Sequence, residues 1–299
     1  MQPSSAPTPL VPEPAGTVPP RRQIMRGEKR GLIIALVSTI AVLVLLAVVF
    51  VSAPGSEAVR RAFFSPTHAR DALLGTETLG SVAAAFFTIT VRMFLVAEVL
   101  VLVFGLILAV LRGLPGPAFF PIRALTIAYI DIFRGIPLLL VMFIVGFGLP
   151  GAGLGFLSRM SQFSYGVISL TLVYSAYVAE VYRAGIESVH DSQTSAARSL
   201  GLSRWQALRY VVLPQAVRRV IPPLLNDFVG LQKDTALVSV IGLVEVVRTA
   251  GAHAGKFFNF TAYVVAAALF VVLTIPLARF TDHLIARGQR RMRASGGVR

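Results

Sequence analysis

The 299-residue chain has no cysteine, so it can build neither a disulfide framework nor a thiolate metal site. Its four histidines, His68, His190, His253 and His283, are scattered. No H-E-x-x-H and no paired carboxylates at metal-ligand spacing accompany them. The phosphate-loop pattern G-x-x-x-x-G-K-[ST] is absent, which removes that route to a nucleotide. Local spacing offers no nucleophile–base pair, and no internal repeat stands out. Together these gaps exclude no fold, but they weigh against an enzyme of any familiar kind. They also weigh against a transporter assembled from repeated halves.

What is present is apolar. Hydrophobic residues make up 55 % of the chain, against about 45–50 % in soluble domains, and mean hydropathy is +0.75. Several runs approach or exceed the roughly 20 residues that span a bilayer as helix. Acidic residues are few: 14 against 28 Lys and Arg, a net charge of +14. In a soluble chain that balance points to nucleic acid. Here the cations gather at the ends of apolar segments: Arg21 to Arg30, then Arg112 and Arg123, then Arg183 to Arg219, then Arg279 to Arg299. That is the positive-inside pattern. The expected partner is the lipid bilayer, and no nucleic acid is expected.

Residues 1–20 carry seven prolines among small residues. Such a stretch cannot bury a core, and with the basic residues up to 30 it is expected to be a disordered cytoplasmic tail. Six membrane helices are expected, at about 31–52, 82–111, 124–148, 166–185, 217–241 and 260–280. The fold class is therefore all-α, membrane-embedded and multi-pass. With the amino terminus inside, six crossings place the carboxyl terminus inside, and the basic tail 286–299 is cytoplasmic. Every cation cluster named above then faces the cytoplasm. The first helix has small residues at Val51-Ser52-Ala53, as a cleavage site would. Its long basic preamble, long apolar core and Pro54 favour an uncleaved anchor. Residues 53–81, with Arg60, Arg61, Arg70 and Asp71, lie outside as a loop or surface helix.

The most informative stretch is polar: Asp191 to Pro214, between two apolar segments. Asp191 or Ser192 can cap a first helix. Gly201 suits the left-handed position that ends it. Ser203 and Gln206 fit the S-x-x-Q capping box of a second helix, and Pro214 is expected to stop it. Trp205, Leu208, Val211 and Val212 share one face of that second helix. This insert resembles the cytoplasmic loop of permease subunits of ATP-binding-cassette importers, which reads E-A-A, three residues, Gly, nine residues, I-x-L-P. Ser195, Ala196, Ala197, Gly201, Val211, Leu213 and Pro214 occupy those places. Ser195 stands where the family has Glu, and Val211 where it has Ile.

Three further segments place charges inside apolar stretches, where each costs on the order of 2.5–3.5 kcal/mol unless paired or facing a cavity. In Tyr129–Leu140, Asp131 and Arg134 are three apart and can pair on one helix face; Gly135 and Pro137 then weaken the helix. In Ala176–Val189, Glu180 and Arg183 have the same spacing. In Leu225–Gly251, Asn226, Asp227, Lys233 and Asp234 interrupt an apolar run, and the adjacent Lys233 and Asp234 mark an irregular or cavity-lining point. The first two segments also admit a plainer account, a buried or interfacial pair that only fixes packing. Glu98 and Arg92 have no evident partner. These segments resemble the F-R-G-x-P-L-L, A-Y-x-A-E-x-x-R-x-G-I and K-D-T-x-L-V-S-V-I-G motifs of the polar-amino-acid branch of the same family. The resemblance covers roughly Thr88 to Asp282.

It implies a type I importer permease fold over 82–285, with 191–214 as the loop that meets the ATPase through Ser195, Ala196, Ala197, Gly201, Leu213 and Pro214. Candidate pathway residues are Asp131, Arg134, Glu180, Asp227, Lys233 and Asp234. Implied partners are ATPase subunits, a second permease, identical or related, and an extracytoplasmic solute-binding protein, all at a bacterial cytoplasmic membrane. No cofactor or metal is expected on this chain; ATP and Mg belong to the ATPase. A self-contained secondary transporter accounts for the intramembrane charges, but not for the two-helix insert.

Overall fold

The computed structural model describes residues 21–75 and 79–296, and the side chains of 31–75 and 79–287. The proline-rich stretch 1–20 lies outside the described residues. The described residues form helices and no strand. Two units separate, Met1–Val59 and Arg60–Arg299.

The first unit is dominated by α1, Arg21–Ser52. From Gly31 to Ser52 it is apolar on every side, and none of that surface is buried. At 1.5 Å per residue, 22 residues reach about 33 Å, enough for the hydrocarbon core. Ser38 and Thr39 bond back to the Ala35 carbonyl at 2.9 and 2.8 Å, so neither hydroxyl is left bare in lipid.

After α2, Ser56–Phe63, the second unit continues with α3, Pro66–Leu74. The outer segment expected as a loop or surface helix is thus two short helices. Next come α4, Val82–Arg112, the paired α5 (Pro117–Gly135) and α6 (Leu138–Gly151), and α7, Gln162–Glu187. The insert supplies α8, Asp191–Ser199. It is followed by α9 (Arg204–Ile241), α10 (Val246–Phe257) and α11 (Thr261–Gly296). Four helices are long and apolar enough to cross a membrane, or six if each bent pair counts as one span.

The bends correct the sequence expectation. The third span, expected to be continuous over 124–148, is two helices meeting at 106°. Pro137 is the cause: a proline forces the residue before it out of the helical region, and Ile136 adopts φ −93, ψ 131. The fifth span bends by 53° between Ile241 and Val246. There Gly242 is left-handed at φ 92, and Glu245 caps α10 by accepting from the Val247 and Arg248 amides at 2.8 and 3.0 Å.

Lipid offers little hydrophobic drive between helices, so close packing must supply the association. A main core joins α4, α6, α7 and α9 around Met93, Met142, Leu170, Leu231 and Val238. A second joins α3, α4, α10 and α11 around Ala72, Phe86, Ala250 and Ala262. Glycines set the closest approaches. A β-carbon on Gly105 of α4 would lie 2.6 Å from Val178 of α7, and one on Gly185 of α7 would lie 2.0 Å from Val220 of α9. Both positions must therefore stay bare for α7 to sit between its neighbours.

Candidate coupling insert and translocation pathway

The insert folds largely as its punctuation dictates. The φ of Gly201 is +89. Its amide bonds to the Arg198 carbonyl at 3.0 Å, and the Leu202 amide to that of Ala197 at 3.2 Å, the paired bonds of a Schellman stop. Ser203 and Gln206 form the capping box in both directions, at 3.2 and 2.8 Å. Ala197 and Ala207 are buried where the two helices pack together.

Three expectations for this segment fail. The cap of α8 is His190, whose Nδ1 accepts from the Ser192 amide at 3.3 Å, and not Asp191 or Ser192. Pro214 does not stop the second helix: α9 runs through it to Ile241. A wide turn over Leu208–Val212 comes just before it, in which the Leu213 amide reaches back to Leu208. That extra residue per turn relieves the clash a proline makes with the preceding turn. The same turn splits the expected apolar face: Val212 is buried, whereas Trp205 is 67 % exposed. Leu200, Leu208, Tyr210 and Leu213 are exposed beside it. The insert thus presents apolar and aromatic side chains to whatever lies outside the bundle.

Beyond the insert, two adjoining cavities run along the bundle. The larger, about 470 Å³, lies at the Pro137 break and is lined by Arg134 to Leu138, Tyr174, Tyr177, Asp227 and Asp234. The smaller, about 360 Å³, is lined by Glu180, Gly185, Ser188, Arg219 and Pro223. Arg134, Tyr177 and Asp227 belong to both. Tyr174 donates to Asp234 at 2.7 Å, and the Arg134 guanidinium lies 5.9 Å from the centre of the Tyr177 ring. Broken backbone at membrane depth is tolerated where it lines such a space.

The pathway candidates divide. Arg134, Asp227 and Asp234 meet at the larger cavity, and Glu180 joins Arg134 and Asp227 at the smaller. Asp131 and Lys233 line neither. The expected Asp131–Arg134 pair is not formed among the described residues: both side chains are exposed, and the Tyr177 ring attracts the guanidinium instead. The Glu180–Arg183 pair is formed, with Arg183 Nε 3.1 Å from both carboxylate oxygens. Glu180 also receives Arg112 of α4 at 2.8 Å, and Arg183 reaches Glu187. Arg219 of α9 donates to the Ser188 carbonyl at the foot of α7. Arg92, which had no evident partner, lies 5.3 Å from the Phe163 ring.

Sequence reasoning missed Tyr174, Tyr177, Arg112 and Arg219. The tyrosines had a signal: Tyr174, Tyr177 and Glu180 repeat every three residues along α7, one polar stripe on an apolar helix. The arginines had none, because their partners lie far away in sequence. Arg134→Ala should lower transport at least tenfold with normal assembly, since no buried carboxylate loses its partner. Arg134→Lys keeps the charge without the planar fork and should be milder. Uptake and size-exclusion profiles of the purified variants check both. Parent-like uptake by Arg134→Ala would remove Arg134 from the pathway.

The family described as the binding-protein-dependent transport system inner membrane component matches residues 101–293. The chain belongs to this family. Among its relatives, a probable glutamine ABC transporter permease of Bacillus subtilis is 39 % identical, over 62 % of this chain and 83 % of the relative. An arginine transport system permease of the same organism is 32 % identical, over 67 % of this chain and 88 % of the relative. A crystal structure of an amino acid ABC transporter with histidines matches with a TM-score of 0.62 and 32 % identity, covering 69 % of this chain and 94 % of that one. The methionine transporter in an inward-facing form shares the fold, with a TM-score of 0.53 and 19 % identity. This permease therefore has the type I importer fold. Residues before 101, including α1 to α3, lie outside the family match.

Proposed function

We propose that this permease is the membrane subunit of an ATP-driven importer for a polar amino acid or a close relative such as an opine or amine. The observation that carries it is the union of two features in one bundle. One is a two-helix insert with exposed Leu200, Trp205 and Tyr210; the other is a charged cavity pair reaching the foot of the helix that precedes the insert. ATPase subunits dock on the insert through Ser195, Ala196, Ala197, Gly201, Leu213 and Pro214. A second permease completes the pathway, and a solute-binding protein delivers solute from outside. A zwitterion would meet both signs in the larger cavity, Arg134 for its carboxylate and Asp227 or Asp234 for its ammonium group. ATP-driven closure reaches the cavities through α7 and α9, which flank the insert and meet at Gly185 and Val220. The names of the relatives support the amino-acid substrate.

Uptake in reconstituted vesicles tests this function. Transport should require ATP and the binding protein, and should continue when the proton gradient is dissipated. Uptake driven by the gradient with ATP depleted would make the protein a secondary transporter instead. Both termini and the insert are assigned to the cytoplasm. The natural absence of cysteine allows a direct check by single-cysteine labelling. Gln193→Cys should be protected from an impermeant reagent outside the cell, and Thr67→Cys should react. Labelling of Gln193→Cys from outside would place the insert away from any ATPase.

A further inference from the structure

The larger cavity carries more negative charge than a neutral amino acid can match. Its lining has a single cation, Arg134, and two carboxylates, Asp227 and Asp234. Neither carboxylate is in an ion pair among the described residues. Arg134 lies against the Tyr177 ring, and Asp234 accepts from the neutral Tyr174 hydroxyl at 2.7 Å. Two nearby cations are turned elsewhere. Lys233, next to Asp234 in sequence, points to another side of α9, where it lines a separate groove with Tyr263 and Phe270, as adjacent helical residues must. Arg219, at the smaller cavity, donates to the Ser188 carbonyl. Glu180 differs from the two aspartates, since Arg112 and Arg183 already hold it. Glu98 of α4 lies within electrostatic reach of Asp227 and adds a further negative charge on that side.

A carboxylate away from bulk water is costly unless a cation meets it. An amino-acid zwitterion brings one carboxylate, for Arg134, and one ammonium group, for one of the aspartates. The other aspartate is then left over. A neutral side chain leaves it unmatched, and an acidic side chain adds repulsion. A cationic side chain completes the set. The spacing suits this: Asp227 and Asp234 lie on one continuous helix, about two turns and about 10.5 Å apart along its axis, near the same face. The long side chains of arginine and lysine reach across such a gap with a hydrogen bond at each end. A cavity of about 470 Å³ has room for a molecule of that size. A diamine would satisfy both aspartates but leave Arg134 unmatched.

We infer that this cavity selects a basic amino acid, of the arginine or lysine class, and that Asp227 is the specificity-determining residue that receives the side-chain cation. The inference rests on the proposed importer function and narrows its substrate. Arg134 and Asp234, with Tyr174, hold the α-carboxylate and α-ammonium group at the Pro137 break. Asp227 lines both cavities, so the side chain extends from the larger cavity toward the smaller.

The test removes the binding protein, which imposes a selectivity of its own. The intact transporter, permease with its ATPase subunits, is purified, and equilibrium binding of radiolabelled L-arginine, L-lysine, L-glutamine and L-glutamate is measured. Arginine and lysine should bind about tenfold more tightly than glutamine, and glutamate most weakly. Asp227→Asn removes a carboxylate that no cation of the chain pairs with, so it should fold at least as well as the parent. It should lower arginine affinity about tenfold and abolish the preference over glutamine. Asp131→Asn makes the same charge change outside both cavities and should keep the preference. Tighter binding of glutamine or glutamate by the parent would overturn the inference while leaving the importer function standing. So would an Asp227→Asn variant that keeps the preference, or an Asp131→Asn variant that loses it equally. If none of the four binds, the cavity is not the selecting site and the inference fails. Failure of the importer function is read separately, as loss of the ATP requirement for uptake by the parent.

Discussion

Gly201→Asp should give a permease that inserts and assembles normally but no longer couples. Stimulation of ATP hydrolysis by loaded binding protein should disappear, and uptake should fall to background. At φ +89 a β-carbon costs roughly 1 kcal/mol or more in backbone strain. No atom lies within 4 Å of where that β-carbon would point, so strain acts without any clash. The cost falls on the Schellman stop of α8 and spares the bundle, whose cores do not touch it. The carboxylate then adds a desolvation penalty on a surface meant to be covered by a partner. Gly201→Asn isolates the charge, because asparagine shares aspartate's backbone tolerance of the left-handed region and brings no carboxylate; it should retain most coupling. Ser195→Glu works in the opposite direction. It places a carboxylate midway along α8, where the resembled loop has Glu, and should leave coupling unchanged or stronger. Normal stimulation of Gly201→Asp would show that the insert is not the coupling element.

Glu180→Gln should destabilise the bundle and stop transport, more severely than either Arg112→Ala or Arg183→Ala. Glu180 is the single carboxylate between guanidiniums from two helices, at 2.8 Å from Arg112 and 3.1 Å from Arg183. Their side chains are 21–29 % exposed, so the pairing is only partly screened. Removing the shared charge leaves Arg112 without its carboxylate and Arg183 with Glu187 alone, a loss of about 1–3 kcal/mol once partial exposure is allowed for. Arg112→Ala leaves Glu180 paired with Arg183, and Arg183→Ala leaves it paired with Arg112. Thermal unfolding in detergent should show this order, with Glu180→Gln lowest. A double-mutant cycle between Arg112 and Glu180 should give a coupling energy above zero. Equal melting temperatures for all three variants would mean that the cluster is solvated and structurally idle.

The local features of this permease were legible in the amino-acid sequence because each depends on near neighbours. Apolar runs of spanning length, cations at their ends, the capping box of Ser203 and Gln206, the left-handed stop at Gly201 and the Glu180–Arg183 pair all arise within a few residues. Pro137 announced a weak point for the same reason. The tertiary structure decided what depends on distant or competing partners. It turned the weak point at Pro137 into a 106° break that opens a cavity. It carried α9 through Pro214 by widening the turn before it, which no single-residue preference specifies. It gave Arg134 to the ring of Tyr177 in place of Asp131, and brought Arg112 to Glu180 across 68 residues. Spacing along one helix states which side chains can meet; which of them do meet is settled by the neighbouring helix, since a charge in a membrane turns to whatever partner the packing sets within reach.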